Sequence, residues 1–154
     1  DWARELYKKA EKLAENSEDF SLLANSVADE DYLGDKDWAR ILYKKAEDLA
    51  EGYLDYQFLG RSVARIKYLN DKDWGIELIK KGEELAVTAY DFIILAETLL
   101  DEDAIFDKEF ARDLAEKAEI FSEDSDDFEY LADFVGDEDY LGDKEWARKL
   151  RSKA

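Results

Sequence analysis

Carboxylates are the side chains best able to do chemistry in this chain, because 41 of its 154 residues are Asp or Glu and none is His or Cys. Some lie in short acidic segments, the first of which runs from Asp29 to Asp35. Such segments suggest calcium, but an EF-hand loop requires oxygen ligands at positions 1, 3 and 5 and a glutamate at position 12. Counted from Asp29, position 5 is Leu33 and position 12 is Arg40. We therefore predict no metal site and assign these acids to helix capping and solubility.

The usual catalytic groups are missing as well. Without histidine the chain lacks the commonest general base, and without cysteine it lacks thiol nucleophiles and disulfides. Paired carboxylates can run acid–base hydrolysis, but pairs arise by chance in so acidic a sequence. No glycine-rich phosphate loop is present. We predict that the protein is not an enzyme and binds no cofactor.

The charge is strongly negative and unevenly distributed. The net charge is −19, and residues 109–144 hold 14 acidic against 3 basic side chains, whereas residues 37–72 hold 6 against 7. Such a field attracts basic partners and disfavours nucleic acid and anionic membranes. No apolar run approaches the roughly 20 residues that span a bilayer, and no signal-peptide pattern is visible. We expect a protein or peptide partner, basic or amphipathic, and a cytoplasmic location for a natural protein.

The elements that position these side chains come from a tandem repeat of 36 residues. Four copies occupy residues 1–36, 37–72, 73–108 and 109–144, and the start of a fifth fills residues 145–154. A fixed period in this range is typical of solenoids of stacked supersecondary units. We call the position of a residue within its copy its column, so that Trp2 and Trp38 share column 2. The repeats predict a single domain over residues 1–154.

Each copy predicts two helices, A and B. In helix A, columns 2, 3, 6, 7, 10, 13 and 14 are apolar or small and fall on one face at 100° per residue. In the shorter helix B, columns 20, 23, 24 and 27 form the apolar stripe. Aspartates precede both predicted starts and are placed as N-caps. They are Asp35, Asp71, Asp107 and Asp143 for helix A, and Asp19, Asp55, Asp91 and Asp127 for helix B.

The predicted fold class is all-α, an α-solenoid of four αα-hairpin repeats plus a C-terminal capping helix, with about nine helices. Gly34 and Gly142 suit a left-handed residue in the link between repeats. In the last segment Arg151 replaces the column-7 tyrosine, as a capping helix requires. The large aromatic residues of column 2 are predicted to pack between hairpins and not to stack on bases: Trp2, Trp38, Trp74, Phe110 and Trp146.

These motifs resemble a known class of repeat. The phrase W-A-x-x-L-Y-K-K-A-E, followed by D-F-x-x-L-A and a Gly-Asp link, is similar to a tetratricopeptide-type repeat. The length of 36 residues and the beginning D-K-x-x-A-x-x-L-Y-x-K-A-E are closer to the longer Sel-type relatives than to the form of 34 residues. The resemblance covers the whole chain. It implies an adaptor surface that grips a peptide or a partner domain in a groove and carries no catalytic residues.

Columns at which the copies differ indicate residues that recognise a partner. The second copy carries Arg61, Arg65 and Lys67 where the first copy has an amide and two acids. The third copy carries apolar residues where the other copies are mostly polar or glycine, and its two glycines would allow a backbone to approach closely. These apolar residues are Ile76, Ile93, Ile105 and Phe106, and the glycines are Gly75 and Gly82.

Column 22 is apolar in every copy, with Leu22, Phe58, Ile94 and Tyr130, although it lies nearly opposite the main stripe of helix B. Either helix B is buried on both sides between neighbouring repeats, or column 22 forms an open groove for a partner. The candidate partner-binding residues are Phe58, Arg61, Arg65, Ile76, Ile93, Ile94, Ile105, Phe106 and Tyr130.

Three functions are compatible with the sequence. The first is a non-enzymatic protein-interaction or scaffold module, with apolar anchors from the third copy and acidic attraction from the fourth. The second is a structural array that associates with itself through the uncovered first repeat. The third is an acidic mimic of nucleic acid. The absence of Cys, His, Met and Pro is compatible with a designed repeat protein and with a natural one.

Overall fold

A computed structural model describes residues 2–154, and within that range it contains nine helices and no strand. The predicted all-α class is confirmed, and the packing between neighbouring helices is consistent with a helical repeat array. Odd-numbered helices are the A helices of successive repeats, and even-numbered helices are the B helices. They are α1 (Trp2–Leu13), α2 (Ser17–Ala28), α3 (Lys36–Asp48), α4 (Tyr53–Ala64), α5 (Lys72–Leu85), α6 (Ala89–Thr98), α7 (Lys108–Phe121), α8 (Ser125–Gly136) and α9 (Lys144–Arg151).

Helices α3, α5, α7 and α9 are capped as predicted. Each column-35 aspartate accepts a hydrogen bond from the backbone N–H three residues later, with 2.9–3.1 Å between N and Oδ1. This bond satisfies an amide that has no partner inside the helix. The pairs are Asp35 with Trp38, Asp71 with Trp74, Asp107 with Phe110 and Asp143 with Trp146.

The prediction that column-19 aspartates are the N-caps of the B helices is wrong. The N-caps lie three residues earlier, at Asn16, Gly52, Thr88 and Asp124. The aspartates sit in the first turn and reach back, as Asp91 Oδ2 does when it accepts the N–H groups of Val87 and Thr88 at 2.8 and 3.0 Å. An acid at the third helical position completes a capping box, so it produces the same sequence signal as an N-cap.

The links between repeats turn through a left-handed residue at column 34. Gly34 and Gly142 have φ of 66° and 69°, which confirms the role predicted for them, and Asn70 and Phe106 have φ of 53° and 51°. The conformation costs a residue with a Cβ atom roughly 1–2 kcal/mol, and glycine avoids that cost. Phe106 therefore holds its ring, 48% exposed, on a strained backbone.

The chain falls into two compact units. The first holds the described residues up to Glu84 together with Asp103–Ile105, and the second holds Leu85–Glu102 and Phe106–Ala154. The single domain over residues 1–154 stays a prediction.

The core of the first unit forms where the second repeat meets the first. Helix α2 packs most extensively against α3, the A helix of the following repeat, while α1–α2 and α3–α4 contacts are smaller. Tyr43 lies at the centre and is fully buried. Its hydroxyl donates to Asn25 Oδ1 at 2.6 Å, and its ring meets Trp74 edge-on with centroids 6.3 Å apart. Burial raises the pKa of the Tyr43 phenol far above its ordinary value, so the side chain stays neutral.

Helices α4 and α5 cross at a pair of glycines. A Cβ atom added to Gly75 would lie 2.8 Å from both the Gly60 carbonyl oxygen and the Ala64 Cβ, and 3.4 Å from Ile105 Cδ1. Only a residue without a side chain fits this contact, because backbone faces backbone. Gly75 therefore does allow a close approach, but the approach occurs inside the first unit.

The second unit repeats the same scheme. Helix α6 packs on α7, and α8 packs on α9. The rings of Phe92 and Phe121 lie 4.9 Å apart, and Gly136 brings α8 within reach of Ala147 on α9. The buried residues of α9 are Ala147 and Leu150, so the final helix covers α8 and presents a charged outer surface.

Candidate functional site

Helix α1 presents an open apolar face. None of its residues is buried, and Trp2, Leu6 and Leu13 are 79%, 41% and 78% exposed. The prediction that column-2 aromatics pack between repeats is therefore wrong for Trp2. No helix of residues 2–154 covers it, whereas Trp38 and Trp74 are half-buried against the core of the first unit.

The same face is closed on α3. Its column-3, 6, 7 and 10 residues have the same types as those of α1 and are fully buried by α2 on one side and α4 on the other. The difference between the two helices is therefore the B helix that precedes α3. The matching pairs are Ala3 with Ala39, Leu6 with Leu42, Tyr7 with Tyr43, and Ala10 with Ala46.

Polar side chains reinforce the junction between the first two repeats. Trp38 Nε1 donates to Glu11 at 3.1 Å, and Lys45 donates to the same carboxylate at 2.5 Å. Arg4 donates to Asp35 at 2.8 Å and lies over the Trp38 ring at 5.6 Å. The Trp38 backbone N–H and the Arg4 guanidinium hold the pKa of Asp35 below its ordinary value. We call this arrangement the indole latch.

The indole latch recurs with different residues of the same columns. Between the second and third repeats it joins Arg40, Asp71, Trp74, Glu47 and Lys81. In the second unit it joins Arg112, Asp143, Trp146, Glu119 and Lys153. On α1 the same columns hold Trp2 and Lys9, and neither side chain makes a hydrogen bond or ion pair with residues 2–154. The open face of α1 thus lacks a carboxylate as well as a helix.

The partner residues predicted in the first unit differ in burial. Ile105 is 4% exposed and packs toward Gly75. Arg61 is exposed, and Phe58, Arg65 and Ile76 are partly buried. Of these residues Phe58 lines a cleft between α2 and α4.

The partner residues predicted in the second unit also differ in burial. Ile93 is fully buried in α6, where its column faces the core. Ile94 is partly buried, while Phe106 and Tyr130 are 48% and 38% exposed. Leu22, the remaining residue of column 22, is 49% exposed. The column-22 side of helix B is thus partly covered, so it is neither fully buried between repeats nor a fully open groove.

Lys67, one of the basic residues of the second copy, pairs with acids of the first copy. Lys67 lies 2.7 Å from the carboxylate of the buried Asp29 and 3.6 Å from that of Asp31. The hydrogen bond from Lys67 holds the pKa of Asp29 below its ordinary value and raises that of Lys67. This ion pair therefore connects the link that follows the first repeat with the link that follows the second.

Tyrosines stack between the B helices of the second unit. The rings of Tyr90 on α6 and Tyr130 on α8 lie 5.6 Å apart at 26°, and Tyr130 donates weakly to Glu97 at 3.5 Å. Burial raises the pKa of Glu97, and burial together with Glu97 raises the pKa of Tyr130 to about 12. The two rings fill the space between column 18 of one helix and column 22 of the other.

The matching space in the first unit is a cleft. It lies between α2 and α4, has a volume of about 230 Å³, and is lined by Ser17, Glu18, Ser21, Leu54, Asp55, Gln57 and Phe58. Sequence reasoning identified only Phe58 among these. The signal that was available is column 18, which holds a glutamate in α2 and a tyrosine in α6.

Many acids of the links have structural roles. Asp29 and Asp137 each accept the N–H two residues later, at 3.0 and 2.8 Å, and so close a turn. Among residues 2–154 no group of three or more potential ligands is placed to hold a metal ion. No helix in that range has the length and apolar character to cross a membrane.

Comparison with family models, with curated proteins and with solved structures finds no match to this chain.

Proposed function

We propose that the protein is a non-enzymatic interaction module of the tetratricopeptide-like kind that docks an amphipathic helix on the open face of α1. One observation supports the proposal: α1 and α3 carry the same apolar residues, and residues 2–154 cover this face on α3 but not on α1. Uncovered apolar residues in a row are typical of protein interfaces, and a helix in a groove is a common way to cover them.

The chain itself indicates the chemistry of the occupant. Helix α2, which covers α3, contributes Leu23, Ala24, Val27 and Ala28 to the shared core. A partner that covers α1 would present a similar stripe of small and branched apolar side chains. The carboxylate of the indole latch comes from a different element, because Glu11, which serves Trp38 and Lys45, lies on α1 and not on α2. The partner of this face is thus an amphipathic helix whose apolar stripe resembles that of α2.

Binding to a peptide with the sequence of residues 15–36 tests this proposal. We expect calorimetry to detect association with the full chain, and Leu13→Asp to weaken it at least tenfold, about 1.4 kcal/mol, because the carboxylate would lose water on docking. A peptide with Leu23 and Val27 replaced by aspartate should not bind.

Ile120→Asp provides the matched control for this substitution. Ile120 is 79% exposed on α7 and Leu13 is 78% exposed on α1, so both changes add one charge at an equally exposed site. Equal affinities of the two variants for the peptide would contradict docking on α1, and so would the absence of binding to the unmodified chain.

Self-association through the same face is the second candidate. It is favoured by the presence of suitable B helices within the chain, which a second copy can offer by exchange. Light scattering is expected to show a mass that rises with concentration for the unmodified chain and stays constant for Leu13→Asp. A strict monomer at all concentrations would eliminate this candidate and leave peptide docking unaffected.

A further inference from the structure

We propose that the cleft between α2 and α4 binds the guanidinium group of an arginine side chain presented by a basic partner. This site goes beyond the helix-docking face of α1, shares no residue with that face, and lies within the first unit.

A buried hydroxyl marks the cleft. Ser21 is 1% exposed and lines the cleft, and its Oγ has no hydrogen-bond partner among the described residues. Buried polar atoms in native proteins are nearly always paired, so this hydroxyl is open to pairing with a group that enters the cleft. Ser17, 3% exposed, brings a second hydroxyl to the same space. The cleft therefore offers hydroxyl oxygens and the Glu18 carboxylate to a ligand that is rich in donors.

The second unit shows what kind of group fits this position. There Tyr90, at column 18, stacks on Tyr130, at column 22. In the first unit the same two columns hold Glu18 and Phe58, so the flat partner of the column-22 ring is replaced by a carboxylate. A planar cation that stacks on Phe58 would take the place of the Tyr90 ring, and its positive charge would pair with the Glu18 carboxylate.

Arginine fits these requirements better than lysine. Its guanidinium is planar, carries five N–H donors and stacks on aromatic rings, whereas the lysine ammonium is a compact and strongly hydrated charge. None of the residues that line the cleft is basic, and two are acidic. Asp55 Oδ2 already accepts the N–H of Glu51 at 2.9 Å, so Glu18 is the carboxylate placed to pair with the ligand. The exposed Leu54 covers the aliphatic stem.

Titration of the isotope-labelled full chain, followed by NMR, tests the site with three probes: the N-acetyl amides of arginine, lysine and citrulline. We expect the arginine probe to shift the amides of α2 and α4 around Ser21 and Phe58. It should bind at least threefold more tightly than the lysine probe. Citrulline has the shape of arginine without its charge and should bind at least tenfold more weakly than arginine.

Two variants separate this site from general acidic attraction. Glu18→Tyr installs the residue of α6, fills the space over Phe58, and is expected to abolish the shifts. Ser21→Ala should weaken arginine binding at least threefold, while the control Ser26→Ala, whose hydroxyl donates to the Leu22 carbonyl, should leave it unchanged.

Leu13→Asp should also leave arginine binding unchanged, so that failure of this site and failure of helix docking are distinguishable. Shifts spread over the acidic fourth repeat, equal shifts with lysine, or shifts that persist in Glu18→Tyr would each overturn the proposal. A cleft occupied by water alone, with no shift from any probe, would overturn it too.

Discussion

Replacing Gly75 with alanine is expected to lower the free energy of unfolding by about 3 kcal/mol, the upper end of the usual cost of overpacking. The added Cβ would lie 2.8 Å from the Gly60 carbonyl oxygen, and a backbone atom cannot turn aside as a long side chain can. Helices α4 and α5 would have to move apart, and the contact of Ile105 with this crossing would loosen. Urea denaturation followed by circular dichroism measures the change.

Gly52→Asn is the control for this prediction. A Cβ at Gly52 has nothing within 4 Å, and asparagine occupies the same N-cap column at Asn16. Its stability should therefore change by less than about 0.5 kcal/mol, with a small gain from capping. If Gly75→Ala changed the free energy of unfolding as little as Gly52→Asn, α4 and α5 would not approach as closely as the structure shows.

Truncation of Tyr43 to alanine is expected to cost about 3–5 kcal/mol, the range for removal of a large buried ring. Tyr7 occupies the same column on the open face of α1 and is only partly buried. Its truncation to alanine should therefore lower the free energy of unfolding by less than half as much. Tyr43→Phe should cost about 1–2 kcal/mol, since it leaves Asn25 Oδ1 without its donor. Chemical denaturation of the three variants measures these differences.

The comparison between Tyr7 and Tyr43 also tests the proposed function. If truncation cost the same at both positions, the α1 face would be covered in solution as fully as that of α3. Such a result in dilute monomer would remove the observation that supports helix docking on α1.

The helices were predictable because their signals are local. The period of apolar columns indicates a helix wherever it repeats, and the column-35 aspartates cap the helices that follow because N-cap chemistry needs only four consecutive residues. The start of the B helices was not predictable at the same accuracy. Asp91 completes the capping box of the N-cap Thr88, and the sequence alone does not distinguish this role from that of an N-cap.

The candidate site depended on neighbours that a sequence does not locate. Ile93 stands in a column that is polar in the other copies, and Ile105 in a column that holds leucine in them. Both were predicted to contact a partner, and both are buried within their own units. Lys67 also stood out as a basic substitution, and it pairs with Asp29 of the preceding copy. These three differences between repeats therefore serve contacts within the chain.

The open face of α1 and the cleft were harder still to predict. Trp2 and Trp38 belong to the same motif, and only the positions of the surrounding helices show that one is covered and the other is not. The orphaned Ser21 hydroxyl belongs to no motif at all. Its surroundings depend on how α2 packs on α4, compared with α6 on α8, and the sequence does not contain that packing.

The indole latch has a spectroscopic consequence. Tryptophan emission depends on the polarity around the ring, and each latched indole donates to a carboxylate at the edge of a core. Trp146 is the sole tryptophan of the second unit, because the fourth repeat has Phe110 in column 2. In a variant with Trp2, Trp38 and Trp74 replaced by phenylalanine, all tryptophan fluorescence would come from Trp146. Its emission would then report the unfolding of the second unit alone.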